Sequence, residues 1–399
     1  MFSKTLQNYL RFWARRYLKR VKPQIIAVTG SAGKTSTKEA IFEVLKIGFG
    51  QSVRKSEGNL NTIYGVPLAI LGYKKPPVPL DRSFSLWPWI PVALSAPFKI
   101  FANSKTKYLV LEIAADKPGD IKFLTTYVKP DISVITNIGL AHLEIFGSLE
   151  KIIEEKTELI RALSPSGWAV LNWDEENLRK LELKNIANVK TYAIDEKAEI
   201  IAQNMTTEIK DYQPVTNFQV IFNNAKFLVQ IGTLGRRHNI YTVLAAIACG
   251  KILNIDQAKI IEGLKNIRPE KHRMEVLRGK NSSVIIDDCY NANQLSMKAA
   301  LDTLEILPAK RKIVTLGDML ELGKISEEAH KLMGEYAREV ADEVVAIGEL
   351  SKIYQAENHF DNKNDVINYL LSKVQEGDII LIKASRGAAL ENIVEALKA

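Results

Sequence analysis

Hydrophobic and polar positions follow two periods along the chain, and their order predicts the fold. Short apolar runs of strand length come before segments in which apolar residues recur at every third or fourth position, as on one face of a helix. Helical spacing of this kind covers residues 148–163. Strands that alternate with helices predict a mostly parallel sheet with helices on both faces. The apolar runs of this first part are QIIAVTG (24–30), YLVLEIA (108–114), ISVITNI (132–138) and GWAVLN (167–172).

The pattern changes twice further along the chain. Residues 199–232 alternate as short strands with little helix, as an antiparallel flap or a small sheet would, and residues 236–266 return to helical spacing. The charged, proline-containing run RPEKHR (268–273) is the predicted interdomain hinge. Beyond it, apolar runs again alternate with helices, so we predict a second, smaller doubly wound domain. Its predicted strands lie in SVIIDDCY, KIVTLGD, EVVAIG and DIILIKAS.

The first 22 residues combine an apolar stripe with unbalanced positive charge. They hold seven lysines and arginines and no acid, whereas the whole chain carries a formal net charge of +8. The remainder is therefore close to neutral, which argues against nucleic-acid binding. A helix is predicted over residues 5–21, and its stripe either inserts into the surface of an anionic membrane or packs on the protein. The stripe consists of Leu6, Leu10, Trp13, Tyr17 and Val21.

A second segment allows the same two interpretations. SFSLWPWIPVALSAPFKIFA (83–102) lies within a Trp- and Pro-rich apolar insert over residues 76–105, and it holds a single charged residue and two tryptophans. Three prolines interrupt it, so no transmembrane helix is predicted. The segment either dips into a membrane interface, where tryptophan is favoured, or covers an apolar groove on the protein.

Composition narrows the class of protein. The chain has 399 residues, of which 46% are hydrophobic and 25% charged, and this is ordinary for a globular protein of two or three domains. Cys249 and Cys289 lie far apart and make no metal spacing, and a disulfide framework is not expected. We expect no signal peptide and a location in the cytoplasm.

The strongest chemical signal is the glycine-rich turn after the first strand. IAVTGSAGKTST (26–37) has the spacing G-x-x-G-K-T between a strand and a helix, which is the context that a phosphate loop requires. Its two glycines allow a tight turn whose N–H groups approach phosphate oxygens. Lys34 is placed to neutralise the β- and γ-phosphates, and the Thr35 hydroxyl is a natural Mg²⁺ ligand. The predicted nucleotide-binding loop comprises Gly30, Ser31, Ala32, Gly33, Lys34, Thr35 and Ser36.

Three further residues allow both a functional and an ordinary interpretation. Glu112 ends a predicted parallel strand, where a carboxylate faces the nucleotide crevice and suits Mg²⁺, but a surface acid fits equally well. His142 follows the next strand and, taken alone, fits a structural or exposed histidine. Lys156, taken alone, fits a solvated helix lysine. The pattern by itself leaves these alternatives open.

Two polar strand ends in the last domain are candidate ligand sites. DDCYNAN (287–293) and KASRGAAL (383–390) each stand where a predicted strand turns into a helix, a position typical of ligand and anion sites. Ordinary turns are polar too, so the position alone is not decisive. The candidate side chains are Asp288, Tyr290, Asn291, Asn293, Lys383, Ser385 and Arg386.

Together these motifs resemble the Mur ligases, and within that family the MurF type. The resemblance runs from about residue 23 to the C-terminus, with the motifs in order and at sensible spacing, and such a series is far more specific than one glycine loop. YNAN and GDMLELG indicate the MurF type. The motifs are TGSAGKTSTKEAI, EGNLNTIYGVPLAIL, EIAADKPGDI, TNIGLAHLEIFGSLEKIIEEKTEL, GRRHNIYTVLAAI, IIDDCYNANQLSMKAAL, TLGDMLELG and LIKASRGAALE.

The resemblance implies an ATP-dependent amide ligase of peptidoglycan precursor synthesis. In such an enzyme ATP phosphorylates a substrate carboxylate, and an amine attacks the acyl phosphate to give amide, ADP and phosphate. For the MurF type the substrates are UDP-N-acetylmuramoyl-tripeptide (UDP-MurNAc-tripeptide) and D-alanyl-D-alanine. The implied fold is α/β, with a P-loop-containing doubly wound central domain (23–268) and a smaller Rossmann-like C-terminal domain (269–399). A monomer is expected.

The resemblance also implies roles for individual residues. Lys34 holds the phosphates and Thr35 the first of two Mg²⁺ ions. Glu112 and His142 match ligands of the second Mg²⁺. Lys156 matches a lysine that is carbamylated, which turns a cation into an anionic oxygen ligand. The remaining matches are Asn239, Arg273 and Asp288 on the nucleotide, and Asn291, Asn293, Lys383 and Arg386 on the side of the amine substrate.

The N-terminus departs from the family. Mur ligases normally have an N-terminal domain that holds the UDP-sugar, whereas only the basic helix over residues 1–22 precedes the first strand. We therefore expect that domain to be missing. One alternative acceptor is a lipid-linked carboxylate, reached by peripheral membrane contact through residues 1–22 and 83–102. A P-loop phosphotransferase or simple ATPase is a further alternative, but it leaves Glu112, His142, Lys156 and the whole last domain unexplained.

Overall fold

The protein, described in a computed structural model, folds as two compact α/β units. The structure describes residues 2–77, 87–101, 105–139, 143–183, 186, 188–234, 237–269, 271–320 and 322–399. Across these ranges, no helix combines the length and the apolar character needed to cross a membrane. The first unit comprises Met1–Ala202, Val220–Phe227 and Tyr241–Lys265, and the second comprises Gln203–Gln219, Leu228–Ile240 and Asn266–Ala399.

Helices and strands alternate along most of the chain, as the apolar pattern predicts. The α-helices within the described ranges are α1 (Phe2–Val21), α2 (Lys34–Phe49), α3 (Gly65–Leu71), α4 (Ile90–Lys99), α5 (Asp120–Thr125), α6 (Leu143–Phe146), α7 (Leu149–Arg161), α8 (Glu176–Arg179), α9 (His238–Ile252), α10 (Gln257–Lys265), α11 (Gln294–Ile306), α12 (Ser326–Val340), α13 (Lys363–Lys373) and α14 (Glu391–Leu397). The strands are β1 (Gln24–Thr29), β2 (Val53–Lys55), β3 (Tyr108–Glu112), β4 (Ile132–Ile135), β5 (Trp168–Asn172), β6 (Asn188–Ala193), β7 (Ile200–Lys210), β8 (Gln213–Phe222), β9 (Ala225–Ile231), β10 (Glu275–Arg278), β11 (Val284–Asp288), β12 (Arg311–Gly317), β13 (Glu343–Ile347), β14 (Asn358–Phe360) and β15 (Asp378–Lys383).

The first sheet is built around β1. Its strand order is β2-β3-β1-β4-β5-β6-β7-β8-β9, and β1 pairs in parallel with β3 on one side and β4 on the other. All of β1 except its first residue is buried, which is expected for a continuous apolar run covered on both faces. The carboxyl ends of β1, β3 and β4 therefore meet at one edge. This edge brings the glycine-rich turn beside Glu112 and Thr136.

Residues 199–232 form paired strands joined by tight turns. β7, β8 and β9 are neighbours in the sheet, and two residues link each consecutive pair: Asp211-Tyr212 and Asn223-Asn224. These four residues have positive φ angles between 49° and 62°. Positive φ at both central residues is the geometry of type I′ turns, whose twist matches that of hairpin strands. The predicted antiparallel segment is confirmed.

The second sheet has the predicted Rossmann-like architecture. Its strand order is β10-β11-β15-β12-β13-β14, with every neighbouring pair parallel except the edge pair β10–β11. Alternate side chains of β15 feed two apolar cores: Ile379 and Leu381 belong to one, and Ile380 and Ile382 belong to the other. Helices on both faces therefore bury the whole strand.

The N-terminal helix packs its apolar stripe on the protein. Leu6, Leu10 and Tyr17 are buried in a core of the first unit, and the rest of the stripe is partly buried against it. The Tyr17 hydroxyl accepts a hydrogen bond from the Arg54 guanidinium at 2.9 Å. Of the two interpretations that the sequence leaves open for this stripe, the structure therefore supports packing on the protein.

The apolar insert also packs one side on that core. Its residues 78–86 and 102–104 lie outside the described residues, and Trp87–Phe101 is its longest described part. Trp89, Val92 and Ala96 are buried in the core that holds the α1 stripe. The opposite side of α4 is exposed. One side of the described insert thus covers the protein, as one of the two interpretations predicts.

Candidate active site

The turn between β1 and α2 has a backbone path that requires glycine. A Cβ on Gly30 would lie 1.9 Å from the hydroxyl oxygen of Thr136, so a larger residue does not fit. Gly33 has a left-handed backbone (φ 74°, ψ 4°) and directly precedes α2, where no side chain within the described ranges provides a cap. The first N–H groups of α2 are thus oriented as in sites that bind phosphate at a helix N-terminus.

Two lysines converge on one carbonyl of this turn. The Lys34 Nζ donates to the Gly30 carbonyl at 2.9 Å, and the Lys156 Nζ donates to the same oxygen at 3.0 Å. Burial, and then the nearby Lys34 charge, lower the pKa of Lys156 from its ordinary value to about 7. The sequence alone favoured a solvated helix lysine at 156, but the side chain is half-buried and donates to the loop, which overturns that interpretation. The loop gathers positive charge that suits a polyphosphate.

A buried carboxylate stands beside the loop, at the end of β3. The Thr35 hydroxyl donates to Glu112 Oε1 at 3.2 Å, and the Asn61 amide donates to the same oxygen at 2.8 Å. Glu112 is 2% exposed, and its Oε2 has no hydrogen-bond partner among the described residues. The Lys38 Nζ lies 3.8 Å from that oxygen. A buried carboxylate oxygen with spare acceptor capacity beside a threonine hydroxyl fits a Mg²⁺ ligand set.

Sequence reasoning missed three residues of this site. The Asn137 side-chain oxygen accepts from the backbone N–H groups of Ser31 at 3.0 Å and Ala32 at 2.8 Å, and so fixes the front of the loop. Asn61 and Lys38 hold Glu112 as described above. Asn137 had a usable signal, since it follows β4, the parallel neighbour of β1. Lys38 had one as well, because it lies one helical turn beyond Lys34.

His142 lies outside the residues that the structure describes. Its predicted role beside Glu112 therefore stays a prediction. The other predicted metal ligands, Thr35, Glu112 and Lys156, are all placed at the loop by the contacts given above.

In the second unit, a buried ion pair joins the two predicted polar strand ends. The Lys383 Nζ lies 2.5 Å from Asp288 Oδ2 and donates to the Asn291 carbonyl at 3.0 Å. The other oxygen of Asp288 accepts from the Met274 N–H at 3.1 Å. Because β11 and β15 are parallel neighbours with Asp288 opposite Lys383, the pair follows directly from the register.

Two arginines of the second unit stack on one tyrosine. The Arg273 guanidinium lies 4.0 Å from the centre of the Tyr290 ring, and that of Arg386 lies 5.4 Å from it. Both distances are within the range of cation–π contacts. The ring thus holds two planar cations near the Asp288–Lys383 pair, an arrangement suited to an anionic ligand.

Two other predicted residues have local structural tasks. Asn293 is the N-cap of α11, where its side chain accepts from the Ser296 N–H at 2.9 Å within a capping box. Asn239 lies in the first turn of α9, and its side-chain amide donates to the Leu234 carbonyl. These contacts explain polar residues at both positions without a ligand.

A cluster of His272, Asp287 and Cys289 also lies in the second unit. The His272 Nδ1 is 2.6 Å from Asp287 Oδ2, and the Cys289 thiol donates to Asp287 Oδ1 at 2.9 Å. Burial and the adjacent Asp287 raise the pKa of the Cys289 thiol far above its ordinary value. Metals bind the thiolate, so a thiol that stays protonated is a poor metal ligand. The cluster is therefore better explained as a structural hydrogen-bond network than as a metal site.

A parallel α/β unit with a glycine-rich loop, paired lysines and a Mg²⁺-suited carboxylate defines a nucleotide-binding protein of the P-loop class. Two family models match the chain: the Mur ligase middle domain over residues 90–250, and the Mur ligase, glutamate ligase domain over residues 272–386. The chain belongs to the Mur ligase family.

Several relatives carry the name of one particular ligase. The UDP-N-acetylmuramoyl-tripeptide--D-alanyl-D-alanine ligase of Bacillus subtilis is 32% identical over 396 residues, which cover 96% of this chain and 78% of the relative. The crystal structure of MurF ligase from Thermotoga maritima in complex with ADP has a TM-score of 0.80 at 28% identity, covering 98% and 83% of the two chains. A MurF crystal structure from Acinetobacter baumannii has a TM-score of 0.79 at 25% identity, covering 97% and 79%. The resemblance to the MurF type is confirmed.

Proposed function

We propose that the protein is an ATP-dependent amide ligase that joins D-alanyl-D-alanine to the carboxylate of UDP-MurNAc-tripeptide in peptidoglycan precursor synthesis. The observation that carries the proposal is the gathering of Lys34, Thr35, Glu112 and Lys156 at one glycine-rich loop. The relatives named above supply the two substrates. The MurF structure with ADP supports ATP as the phosphoryl donor.

The charges of the loop suit phosphoryl transfer to a carboxylate. Lys34 and the first N–H groups of α2 hold the phosphates and offset their charge. A carboxylate oxygen bonds to the γ-phosphorus as the bond to ADP breaks, which gives an acyl phosphate. The amine then bonds to the acyl carbon, loses a proton, and phosphate leaves with that carboxylate oxygen. Mg²⁺, when bound, neutralises the charge that develops on the phosphate oxygens.

The metal ligands and the modified lysine belong to the same proposal. Thr35 would hold one Mg²⁺ ion, and Glu112 with His142 a second. Lys156 is suited to carbamylation because only a neutral amine attacks carbon dioxide, and its pKa of about 7 leaves a large neutral fraction at physiological pH. The amine nitrogen bonds to the carbon of CO₂ and releases a proton, which leaves an anionic carbamate oxygen to face the metal.

Residues of the second unit complete the proposed assignment. We also propose a division of the chain into three parts. These are a basic helix (1–22), a central domain (23–268) and a C-terminal domain (269–399). The two arginines stacked on Tyr290 support a role in holding charged ligands. Asn239, Arg273 and Asp288 are proposed to contact the nucleotide, and Asn291, Asn293, Lys383 and Arg386 the amine substrate.

We further infer the setting in which the enzyme works. It acts as a monomer in the cytoplasm and makes peripheral contact with the inner face of the membrane. A lipid-linked carboxylate is the alternative acceptor. The exposed apolar side of α4 and the basic residues of α1 support the membrane contact.

The proposal is tested by the substrate dependence of ATP hydrolysis. Phosphate release is measured with Mg²⁺ and bicarbonate present, with UDP-MurNAc-tripeptide alone, with D-alanyl-D-alanine alone, and with both. The ligase predicts release only with both, together with the amide product by mass spectrometry. Release that needs the carboxylate but no amine would instead indicate a phosphotransferase. ATP binding without release on these substrates would contradict the proposed acceptor, and lipid-linked carboxylates would be tested next.

A further inference from the structure

We propose that the exposed side of α4, together with the basic edge of α1, is a docking surface for an anionic phospholipid bilayer. The α4 face is defined here as Trp87, Ile90, Leu94, Phe98 and Phe101. The inference rests on the peripheral membrane contact proposed above and names the surface that makes it. The apolar stripe of α1 is not part of this surface, because it packs on the core of the protein.

The α4 face consists of exposed apolar side chains along one side of α4 and at its two ends. Trp87 is 80% exposed, Leu94 70% and Phe98 74%, while Ile90 and Phe101 are also exposed. Positions 90, 94 and 98 are four residues apart and therefore lie in one row along the helix. A single exposed leucine is ordinary, but large aromatic and aliphatic side chains in one exposed row indicate an interaction surface.

The helix that carries this face is anchored to the protein. Trp89, Val92 and Ala96 point the other way and are buried in the core. The Tyr9 hydroxyl of α1 donates to the Ala93 carbonyl, which ties the two helices together. The α4 face therefore lies on a helix that is fixed to the core. Its exposure is a property of the folded unit.

Basic side chains of α1 border the α4 face. The Arg20 guanidinium lies 4.2 Å from the centre of the Phe101 ring. Phe12, Arg16 and Arg20 are spaced four residues apart on α1, so they lie in one row that leads to Phe101. Phe12 is exposed, and the Arg16 guanidinium lies 5.0 Å from its ring. This row adds positive charge to an apolar surface.

The combination favours an anionic bilayer over other occupants. Residues 2–22 and 87–101 contain no aspartate or glutamate. Arginine beside exposed tryptophan and phenylalanine matches the layer in which lipid phosphates meet acyl chains, where these aromatic residues are enriched. A second copy of the chain would bring two basic surfaces together, and like charges oppose that association.

Vesicle co-sedimentation with the full chain tests the inference. The probes are vesicles of phosphatidylcholine alone, and vesicles of phosphatidylcholine with phosphatidylglycerol in a two-to-one mixture. We expect binding to the anionic vesicles, weaker binding to the neutral ones, and a fall in binding as salt rises. The double variant Leu94→Gln/Phe98→Gln is expected to bind the anionic vesicles at least about tenfold more weakly, because two exposed apolar anchors are lost.

Matched control variants show whether vesicle binding depends on this surface or on any exposed apolar or charged residue. Leu228→Gln/Leu332→Gln changes two exposed leucines of the second unit and should bind as the wild type does. Arg16→Gln/Arg20→Gln should lose most of the salt-dependent part of the binding. Vesicles with brominated acyl chains should quench tryptophan emission, and Trp87→Phe should remove most of that quenching. Circular dichroism melting checks that each variant is folded.

The outcomes distinguish the inference from the proposals on which it rests. Wild-type binding that Leu94→Gln/Phe98→Gln leaves unchanged would overturn the α4 face while keeping the membrane contact. No wild-type binding to either vesicle would overturn both. Self-association by sedimentation equilibrium that this double variant abolishes, without vesicle binding, would replace the bilayer by a second copy. Ligase activity on soluble substrates is a separate readout that none of these outcomes changes.

Discussion

Two polar sites, one in each unit, stand at the carboxyl ends of parallel strands, and they differ in how their charges are balanced. At the loop of the first unit, the ammonium groups of Lys34 and Lys156 share one carbonyl oxygen. In the second unit, Lys383 faces the carboxylate of Asp288 at 2.5 Å. Two basic side chains converge in the first site, whereas opposite charges cancel in the second.

The difference in charge indicates which kind of ligand, if any, each site binds. A loop that holds excess positive charge is completed by a polyanion, and the phosphates of ATP supply that charge. A buried ion pair is complete without a ligand, and its removal leaves an uncompensated buried charge. We therefore expect changes at the loop to alter activity and changes at the pair to alter stability first.

The largest expected effect follows from removing the loop lysine. Lys34→Met should lower kcat about a thousandfold, because a charge aimed at the transferring phosphoryl group is lost. The melting temperature of the variant should stay near that of the wild type, since Lys34 is only partly buried at the loop. Lys46→Met, at an exposed position of the same helix, is the control and should keep full activity. Comparable losses in both variants would contradict the assignment.

The ion pair of the second unit should respond in stability. Lys383→Met should lower the free energy of unfolding by about 3 kcal/mol, because Asp288 would stay buried without its counter-ion. Adding Asp288→Asn to it should recover part of the loss. Lys298→Met breaks the exposed pair with Asp302 and should cost under about 0.5 kcal/mol. Urea unfolding measures all three, and equal effects of the buried and exposed changes would refute the comparison.

Asn61 tests whether Glu112 is positioned for a metal ion. Asn61→Ala removes the 2.8 Å hydrogen bond to Glu112 Oε1 and should raise the Mg²⁺ concentration for half-maximal activity about tenfold. At saturating Mg²⁺ the rate should recover, which a merely misfolded site would not show. Asn59→Ala, two residues earlier and exposed, serves as the control. An unchanged Mg²⁺ dependence would argue against metal binding at Glu112.

The smallest expected effect is the pH dependence that Lys156 adds to stability. Below pH 7 the lysine is charged in both the folded and the unfolded protein. The folded protein is then destabilised by the full free energy needed to remove that charge from water. Between pH 7 and the ordinary lysine pKa of about 10.4, only the unfolded chain stays protonated, so stability rises with pH. In carbon dioxide-free buffer, Lys156→Met should melt higher than the wild type at pH 6, by a margin that shrinks by about 5 °C toward pH 9. A constant margin would mean that the pKa of Lys156 is not lowered in the folded protein.

Much of the fold and the loop could be predicted because the relevant signals are local. The spacing of Gly30, Gly33 and Lys34 follows from the backbone of one turn, and a Cβ at Gly30 would meet Thr136 at 1.9 Å. The position of Glu112 follows from β1 and β3 being parallel neighbours. Such relations need only the strand order and the apolar pattern.

Other features depend on packing that no pattern encodes. Lys38 is fully buried although a helix lysine usually faces water, and its position one turn beyond Lys34 does not reveal that burial. The α1 stripe showed that one face of the helix is apolar but not what covers it. Asn293 matches a residue on the side of the amine substrate, and the pattern did not show that it also caps α11. For Lys38 and the α1 stripe, the deciding neighbours come from distant segments of the chain. For Asn293, a cap and a ligand role both suit the same side chain.

The most direct test of the central claim follows one oxygen atom. UDP-MurNAc-tripeptide labelled with ¹⁸O in its free terminal carboxylate is turned over with ATP and D-alanyl-D-alanine, and the released phosphate is analysed by mass spectrometry. An acyl phosphate at this loop predicts that each phosphate released carries one labelled oxygen from the carboxylate. Unlabelled phosphate, with amide still formed, would contradict activation through an acyl phosphate.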